Sequence, residues 1–250
     1  MGDIEVTGAK ILLRLPFGLT ITETQVNMWI VMAAIAGFCI WLTRDLKVRP
    51  TSKRQLIAEY LVKTVTNLVE ENMGKRFTGF TPFIAALFSL AMCSSLISLL
   101  GMYPPTSDLN TTLGWALVTF FLITYYKIKT NRFGGYLKGL TEPIFLMTPM
   151  NIIGEIATPI SMACRMFGNV ASGSVISILV YSALAAANNA LFGWLPGFLG
   201  EAAAKLPILQ LGVPAVLSLY FDVFSGILQA FIFCMLTMLY ISAAADKDEA

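Results

Sequence analysis

The chain has 250 residues, of which 56% are hydrophobic and only 13% charged, and its mean hydropathy is +0.73. A soluble domain carries about 25% charged residues, so this composition excludes an ordinary soluble enzyme and indicates a polytopic all-α membrane protein, with the lipid bilayer as its surroundings. The net charge of +2 gives no reason to expect a nucleic-acid partner, and the absence of histidine excludes an imidazole relay and most transition-metal chemistry.

Residues 1–23 hold Asp3, Glu5, Lys10 and Arg14 around Pro16 and Gly18, and read as a short extramembrane lead-in rather than a cleavable signal. A first span is predicted at 24–42, with Trp29 and Trp41 near its ends as in an aromatic belt. Arg44, Lys47, Arg49, Lys53 and Arg54 follow, so this loop is expected in the cytoplasm and the N-terminus outside. Residues 53–74 put Leu56, Ile57, Tyr60, Leu61, Thr64, Val65 and Leu68 on one helical face, which predicts an amphipathic helix on the cytoplasmic membrane surface.

Residues 82–101 and 111–126 read as a spanning hairpin, joined by a Pro-rich turn with Asp108 and no Lys or Arg. Lys127, Lys129, Arg132 and Lys138 mark the return to the cytoplasm, and 134–147 reads as a short amphipathic or re-entrant piece ended by Pro143 and Pro149. A long apolar run, 149–189, comes next. At about 1.5 Å per residue it is about twice as long as a ~30 Å hydrocarbon core is thick. With only weak internal turn signals, it reads as one tilted helix. Gly193, Pro196, Gly197 and Gly200 place a loop after it, and a second long run, 207–244, leads to the acidic tail. All Lys and Arg except Lys10, Arg14, Lys205 and Arg165 fall in segments read as cytoplasmic, which includes the C-terminus. The predicted architecture is therefore about five membrane-embedded helices plus a surface helix, ending in a hairpin of two long tilted helices.

Arg165 is the one basic residue in the first long run. A guanidinium stays charged wherever it is placed, and at mid-membrane depth it costs at least about 2.5–3.5 kcal/mol. Ser161, Arg165, Asn169 and Ser172 recur at helical spacing, and so do Ser218, Asp222, Ser225 and Gln229 in the second run. Two polar stripes on two antiparallel helices suggest an ion path, although each residue also has a packing role open to it. Cys39, Cys93, Cys164 and Cys234 lie in apolar segments without metal-ligand spacing, so no disulfide and no metal site are expected.

The run RMFGN at 165–169, preceded by TPMNIIGEIATPIS and followed by GILQAFIFCMLTMLYIS, resembles subunit a of bacterial F-type ATP synthase over essentially the whole chain. The resemblance implies a proton-translocating stator with two aqueous half-channels. It would face a c-ring of small subunits and assemble with the b subunits of the peripheral stalk and the soluble F1 head in the bacterial plasma membrane. It makes Arg165 the essential arginine, with Asn169 and Gln229 near it, Glu155 on the cytoplasmic side and Asp222 on the outer side. Many relatives carry Glu where this chain has Ser174, which leaves Asp222 the main ionisable group on the outer path. A sodium-translocating version of the same subunit and a stand-alone transporter are the alternatives. No phosphate-binding loop GxxxxGK[ST] occurs, so no cofactor is expected and ATP chemistry belongs to other chains.

Overall fold

The computed structural model describes residues 10–14, 20–44, 47, 52–141, 145–192, 216–217 and 219–245. A small antiparallel hairpin, β1 (Ile11–Arg14) and β2 (Thr20–Thr22), leads into α1 (Glu23–Thr43). Then come α2 (Lys53–Met73), α3 (Thr81–Leu96), α4 (Leu109–Thr141), α5 (Thr148–Phe192), a π-helical segment (Leu219–Ser225) and α6 (Gly226–Ala245). Among the described residues the fold is all-α apart from that hairpin. The segment read as an extramembrane lead-in contains these two short strands. Its short segments, Ile11–Leu12–Leu13 and Thr20–Ile21–Thr22, are apolar or β-branched, as strands prefer.

Four stretches are long and apolar enough to cross a membrane: Glu23–Thr43, Lys75–Leu100, Thr148–Asn188 and Leu219–Ala245. The helix α4 falls short because Asn110, Thr111, Thr112, Thr119, Thr124, Tyr125 and Tyr126 dilute its apolar part. Several of these polar groups have protein partners. Thr119 and Thr237 are both fully buried, with their hydroxyls 3.5 Å apart across α4 and α6.

The core is built around α6. Phe233, Cys234, Met238 and Ile241 on α6 are buried against Ile84, Leu87 and Ala91 of α3, Trp115, Ala116 and Ile123 of α4, Met162 and Met166 of α5, and Val69 and Met73 of α2. The exterior is apolar, with Ile40, Phe121 and Leu179 exposed, as suits a helix bundle whose solvent is lipid. The helix α2 begins at a Ser52 cap and ends at Gly74, whose φ of 84° is open to glycine. It enters the core only at its C-terminal end. Leu56, Ile57, Tyr60 and Leu61 remain exposed as an apolar surface.

Buried polar side chains tie α1 to the turn before α4. The Thr24 hydroxyl donates to Asp108 Oδ2 at 2.8 Å and the Asn27 amide donates to the Tyr103 carbonyl at 2.9 Å. Both residues are nearly fully buried, so each hydrogen bond offsets a desolvation cost of about 1–3 kcal/mol.

Two readings of helix ends are corrected. The helix α4 does not stop near Tyr126. It continues to Thr141 through Arg132, whose φ of 57° and ψ of 164° break the helix there. The piece read at 134–147 is therefore the second limb of a kinked helix, followed after residues outside the described set by a short 3₁₀ turn, Phe145–Met147. The helix α5 is one continuous helix of 45 residues that extends past Asn188 to Phe192. The start of the last run, 207–215, and Ser218 lie outside the described residues, as do Gly193, Pro196, Gly197 and Gly200 of the loop before it.

Close helix approach depends on glycine at one crossing. A Cβ added to Gly226 would lie 3.0 Å from Ser95 Cβ of α3. Gly226→Ala should destabilise the bundle by about 1–3 kcal/mol through overpacking. Gly114→Ala, where nothing lies within 4 Å, should be neutral or stabilising by up to about 1 kcal/mol. Thermal denaturation of the detergent-solubilised assembly checks this; equal midpoints for the two variants would contradict the α3–α6 contact.

Candidate functional site

The helix α5 presents two different sides. Pro159, Met162, Ala163, Met166 and Gly173 are buried against the bundle, whereas Ser161, Arg165, Ser172 and Ser174 are exposed. Asn169 is half-buried at the seam between the two sides. At about 100° per residue, Arg165 is turned about 60° from Met162 and about 100° from Met166 around the axis. Among the described residues no hydrogen bond or ion pair engages its guanidinium. The charge is thus directed away from the chain's own interior, on an otherwise apolar helix. It is not used to bind α5 to α6.

The two polar stripes meet at Asn169. The Ser225 hydroxyl donates to Asn169 Oδ1 at 2.6 Å, joining α5 to the end of the π-helical segment. One turn on, Gln229 is buried at 9% exposure. Asn169 Nδ2 and Gln229 Nε2 are both buried without a protein partner. Buried donors of this kind are uncommon and call for a partner outside the protein's own hydrogen-bond set. The helices approach closely here because Gly173 faces Phe221: a Cβ at Gly173 would lie 3.2 Å from Phe221 Cβ.

Asp222 lies half-buried in the π-helical segment Leu219–Ser225. The even helical spacing of Asp222, Ser225 and Gln229 read from the sequence is therefore interrupted, since the wider turn rotates Asp222 relative to Gln229. Such π turns are frequent at functional sites. The Ser174 hydroxyl is spent locally on the Ala171 carbonyl at 2.8 Å, as a helical serine commonly is.

Glu155 is held apart from this group, one helical stretch before Arg165. Its Oε1 accepts from Lys127 Nζ at 2.5 Å and its Oε2 accepts from the Tyr136 hydroxyl at 2.5 Å. Pro159 four residues later has no N–H, so the Glu155 carbonyl also loses its helical bond. A cavity of about 610 Å³ opens here, with Lys127, Asn131, Tyr136, Asn151, Glu155 and Tyr240 among its lining residues. Tyr136 lies beyond the apolar part of α4. Burial, the hydrogen bond to Glu155 and the charge of Glu155 push its hydroxyl up to about 12, so it remains a donor at neutral pH. A second cleft of about 750 Å³, lined by Arg76, Phe77, Phe80, Tyr126 and Lys129, shares no residue with either stripe.

The structure thus joins Asn169 to Ser225, with Gln229 about one turn beyond Ser225 and the exposed Arg165 about one turn before Asn169, and sets Glu155 in a separate cavity. Lys127 and Tyr136 were not among the residues singled out from the sequence. Lys127 read only as a cytoplasmic topology marker, and no periodicity links it to Tyr136. Among the described residues no cluster of His, Cys, Asp and Glu could hold a metal ion, and the four cysteines are free.

Comparison with known proteins identifies the family. Residues 25–242 match the family model described as the ATP synthase A chain. The chain is 32% identical over 249 residues to a Propionigenium modestum protein named ATP synthase subunit a, sodium ion specific, covering 93% of this chain and 77% of that protein. It is 33% identical over 234 residues to ATP synthase subunit a of Desulforamulus reducens, covering 92% of this chain and 82% of that one. It is 32% identical over 230 residues to ATP synthase subunit a 2 of a Bradyrhizobium species, covering 92% and 91%. The chain belongs to the ATP synthase A chain family, and is an integral membrane, non-catalytic membrane-sector subunit that serves ion transport in complex with other ATP synthase subunits.

Proposed function

We propose that this subunit is the proton-conducting stator of a rotary ATP synthase in a bacterial plasma membrane, with its N-terminus outside and its C-terminus in the cytoplasm. Arg165 faces the mid-membrane carboxylates of a rotating c-ring, and two aqueous half-channels reach it from opposite sides. The observation that carries this reading is the exposed Arg165, unpartnered within the described chain, on the outer side of an apolar helix. The b subunits of the peripheral stalk would hold the chain still, and the soluble F1 head would carry the ATP chemistry.

A fixed cation in a low-dielectric site favours the ionised form of a passing carboxyl group. It also repels a proton that would otherwise pass directly between the two water-filled paths. An ion arriving from one side must therefore ride on the ring to reach the other. The membrane potential supplies about 2.3 kcal/mol per charge per 100 mV for this step. The long helix α5 crosses the ring obliquely, which lets several ring subunits pass its stripe. The buried amides of Asn169 and Gln229 offer donors beside the arginine. Asp222, with Ser174 nearby in the family pattern, serves the outer half-channel, and the cavity around Glu155 supports the cytoplasmic one.

One observation favours sodium as the ion instead: the Propionigenium modestum relative is named sodium ion specific. ATP-driven uptake in inverted vesicles separates the two. Proton pumping gives acidification without added sodium, whereas a sodium pump gives uncoupler-resistant ²²Na⁺ uptake.

Arg165→Ala should abolish ATP-driven pumping while the subunit remains in the assembled complex, as measured by fluorescence quenching in vesicles and by co-purification of the ring. Coupled pumping at the normal rate would end the stator assignment. Asp222→Asn should slow ion access from the outer side more than Glu155→Gln does, measured as flux driven in each direction across vesicles stripped of the soluble head. Equal effects in both directions would remove the assignment of sides.

A further inference from the structure

Lys127 and Tyr136 both reach Glu155, one to each carboxylate oxygen. They are nine residues apart on the same helix. In a straight α-helix that separation places side chains about 180° apart around the axis and about 13.5 Å apart along it. Two such side chains cannot meet on one carboxylate. They meet here because α4 breaks at Arg132, between them, with φ 57° and ψ 164°. This is a sparsely populated conformation for a non-glycine residue. The second limb of α4 is then tied back to α5 by Tyr136 on Glu155 and by the Asn151 amide donating to the Leu140 carbonyl at 2.9 Å. The strained residue therefore builds a three-residue cluster on the wall of the 610 Å³ cavity.

We propose that Lys127 sets the charge of this cavity: it neutralises Glu155, which the Arg132 kink and Tyr136 hold in place, so that a cation crosses a polar but neutral vestibule without being trapped there. The inference rests on the reading that this cavity belongs to the cytoplasmic ion path. Conduction requires a site favourable enough to enter and weak enough to leave. A lone carboxylate in a partly buried pocket would hold cations, and divalent ones most strongly, because low-dielectric walls focus its field. Pairing it with Lys127 removes that trap while leaving hydroxyl and amide groups to solvate the path. The charged and titratable groups that line the cavity are Lys127 and Tyr136 from α4, Glu155 from α5 and Tyr240 from α6. Lys127 supplies the only positive charge among them. Lys127 and Tyr136 are thus positioning residues, acting through Glu155.

Passive ion flux in vesicles carrying the assembled complex, stripped of its soluble head, tests this, with Mg²⁺ titrated on the cytoplasmic face. The original chain and Lys127→Arg should show flux insensitive to Mg²⁺ at millimolar levels. Lys127→Met should lower the flux and make it about tenfold or more sensitive to Mg²⁺ block, in line with local counter-ion enrichment by an unpaired charge. Adding Glu155→Gln to Lys127→Met should remove the block, since the charge is balanced again. A loss of packing alone would lower flux in both variants without any dependence on cation valence. Arg132→Gly, which adopts the same φ freely, should behave as the original chain. Flux in Lys127→Met no more sensitive to Mg²⁺ than in the original chain would overturn the proposal. If Arg165→Ala is then still inactive, the stator reading stands without it; if Arg165→Ala pumps, that broader reading has failed instead.

Discussion

A guanidinium that cannot be neutralised, carried on the outer side of an apolar helix, is the constraint to which the rest of this structure answers. In a hydrocarbon environment an exposed Arg165 is unfavourable by at least about 2.5–3.5 kcal/mol unless something outside the chain receives it. The chain does not relieve this by pairing Arg165 internally. It spends its packing on an adjoining side of α5, where Met162, Ala163 and Met166 are fully or almost fully buried, and so fixes the direction in which the charge points. The glycine contacts at Gly173 and Gly226 serve the same end. They let α5, the π-helical segment and α3 close around the stripe without side chains forcing them apart.

Around that fixed charge the chain manages its other polar groups in two ways. Some groups remote from the stripe have protein partners, as with Thr24 on Asp108 and Asn27 on the Tyr103 carbonyl, whereas the Thr81, Ser94 and Thr106 hydroxyls and the Trp115 indole N–H are buried without one. At the stripe, Asn169 Nδ2 and Gln229 Nε2 are likewise buried without a protein partner. A buried donor without a partner costs about 1–3 kcal/mol, and a fold stabilised only by its own contacts would have little reason to retain two of them one helical contact apart. Their persistence beside Arg165 fits a surface completed by another subunit and its water, as membership of a multi-subunit enzyme family leads one to expect.

Much of this was legible in the sequence because it depends on local periodicity. The exposed face Ser161–Arg165–Ser172 follows from spacing in a single straight helix, and so does the buried face of Met162 and Met166. The long apolar runs announce themselves by length alone. What could not be read depends on backbone geometry that departs from the regular period. The π-helical turn at Leu219–Ser225 alters the rotation of Asp222 relative to Gln229, and no residue in it advertises the change. The hairpin at Ile11–Arg14 and Thr20–Thr22 is too short to give an alternating signal. The apolar side of α2 was legible as a pattern, but not the fact that only Val65, Leu68, Val69 and Met73 at its far end pack into or against the core.

Arg132 shows most clearly why such features escape a sequence reading. It is one of four basic residues after an apolar stretch, and its composition says only that the chain has left the membrane. A residue with φ of 57° is usually glycine or asparagine, so an arginine there gives no hint of a break. Strain of this kind costs about 1–3 kcal/mol and persists only where the surroundings over-determine it. Here they do so through two hydrogen bonds to Glu155 and one from Asn151, all made by α5 to the two limbs of α4. The kink and the cluster therefore depend on each other. Without the kink, Lys127 and Tyr136 lie on opposite sides of their helix; without Glu155, the second limb of α4 loses the Tyr136 tie to α5 and keeps the one from Asn151 to the Leu140 carbonyl. A cavity wall assembled in this way has its charge fixed by tertiary structure, and that is the level at which ion passage through it would be set.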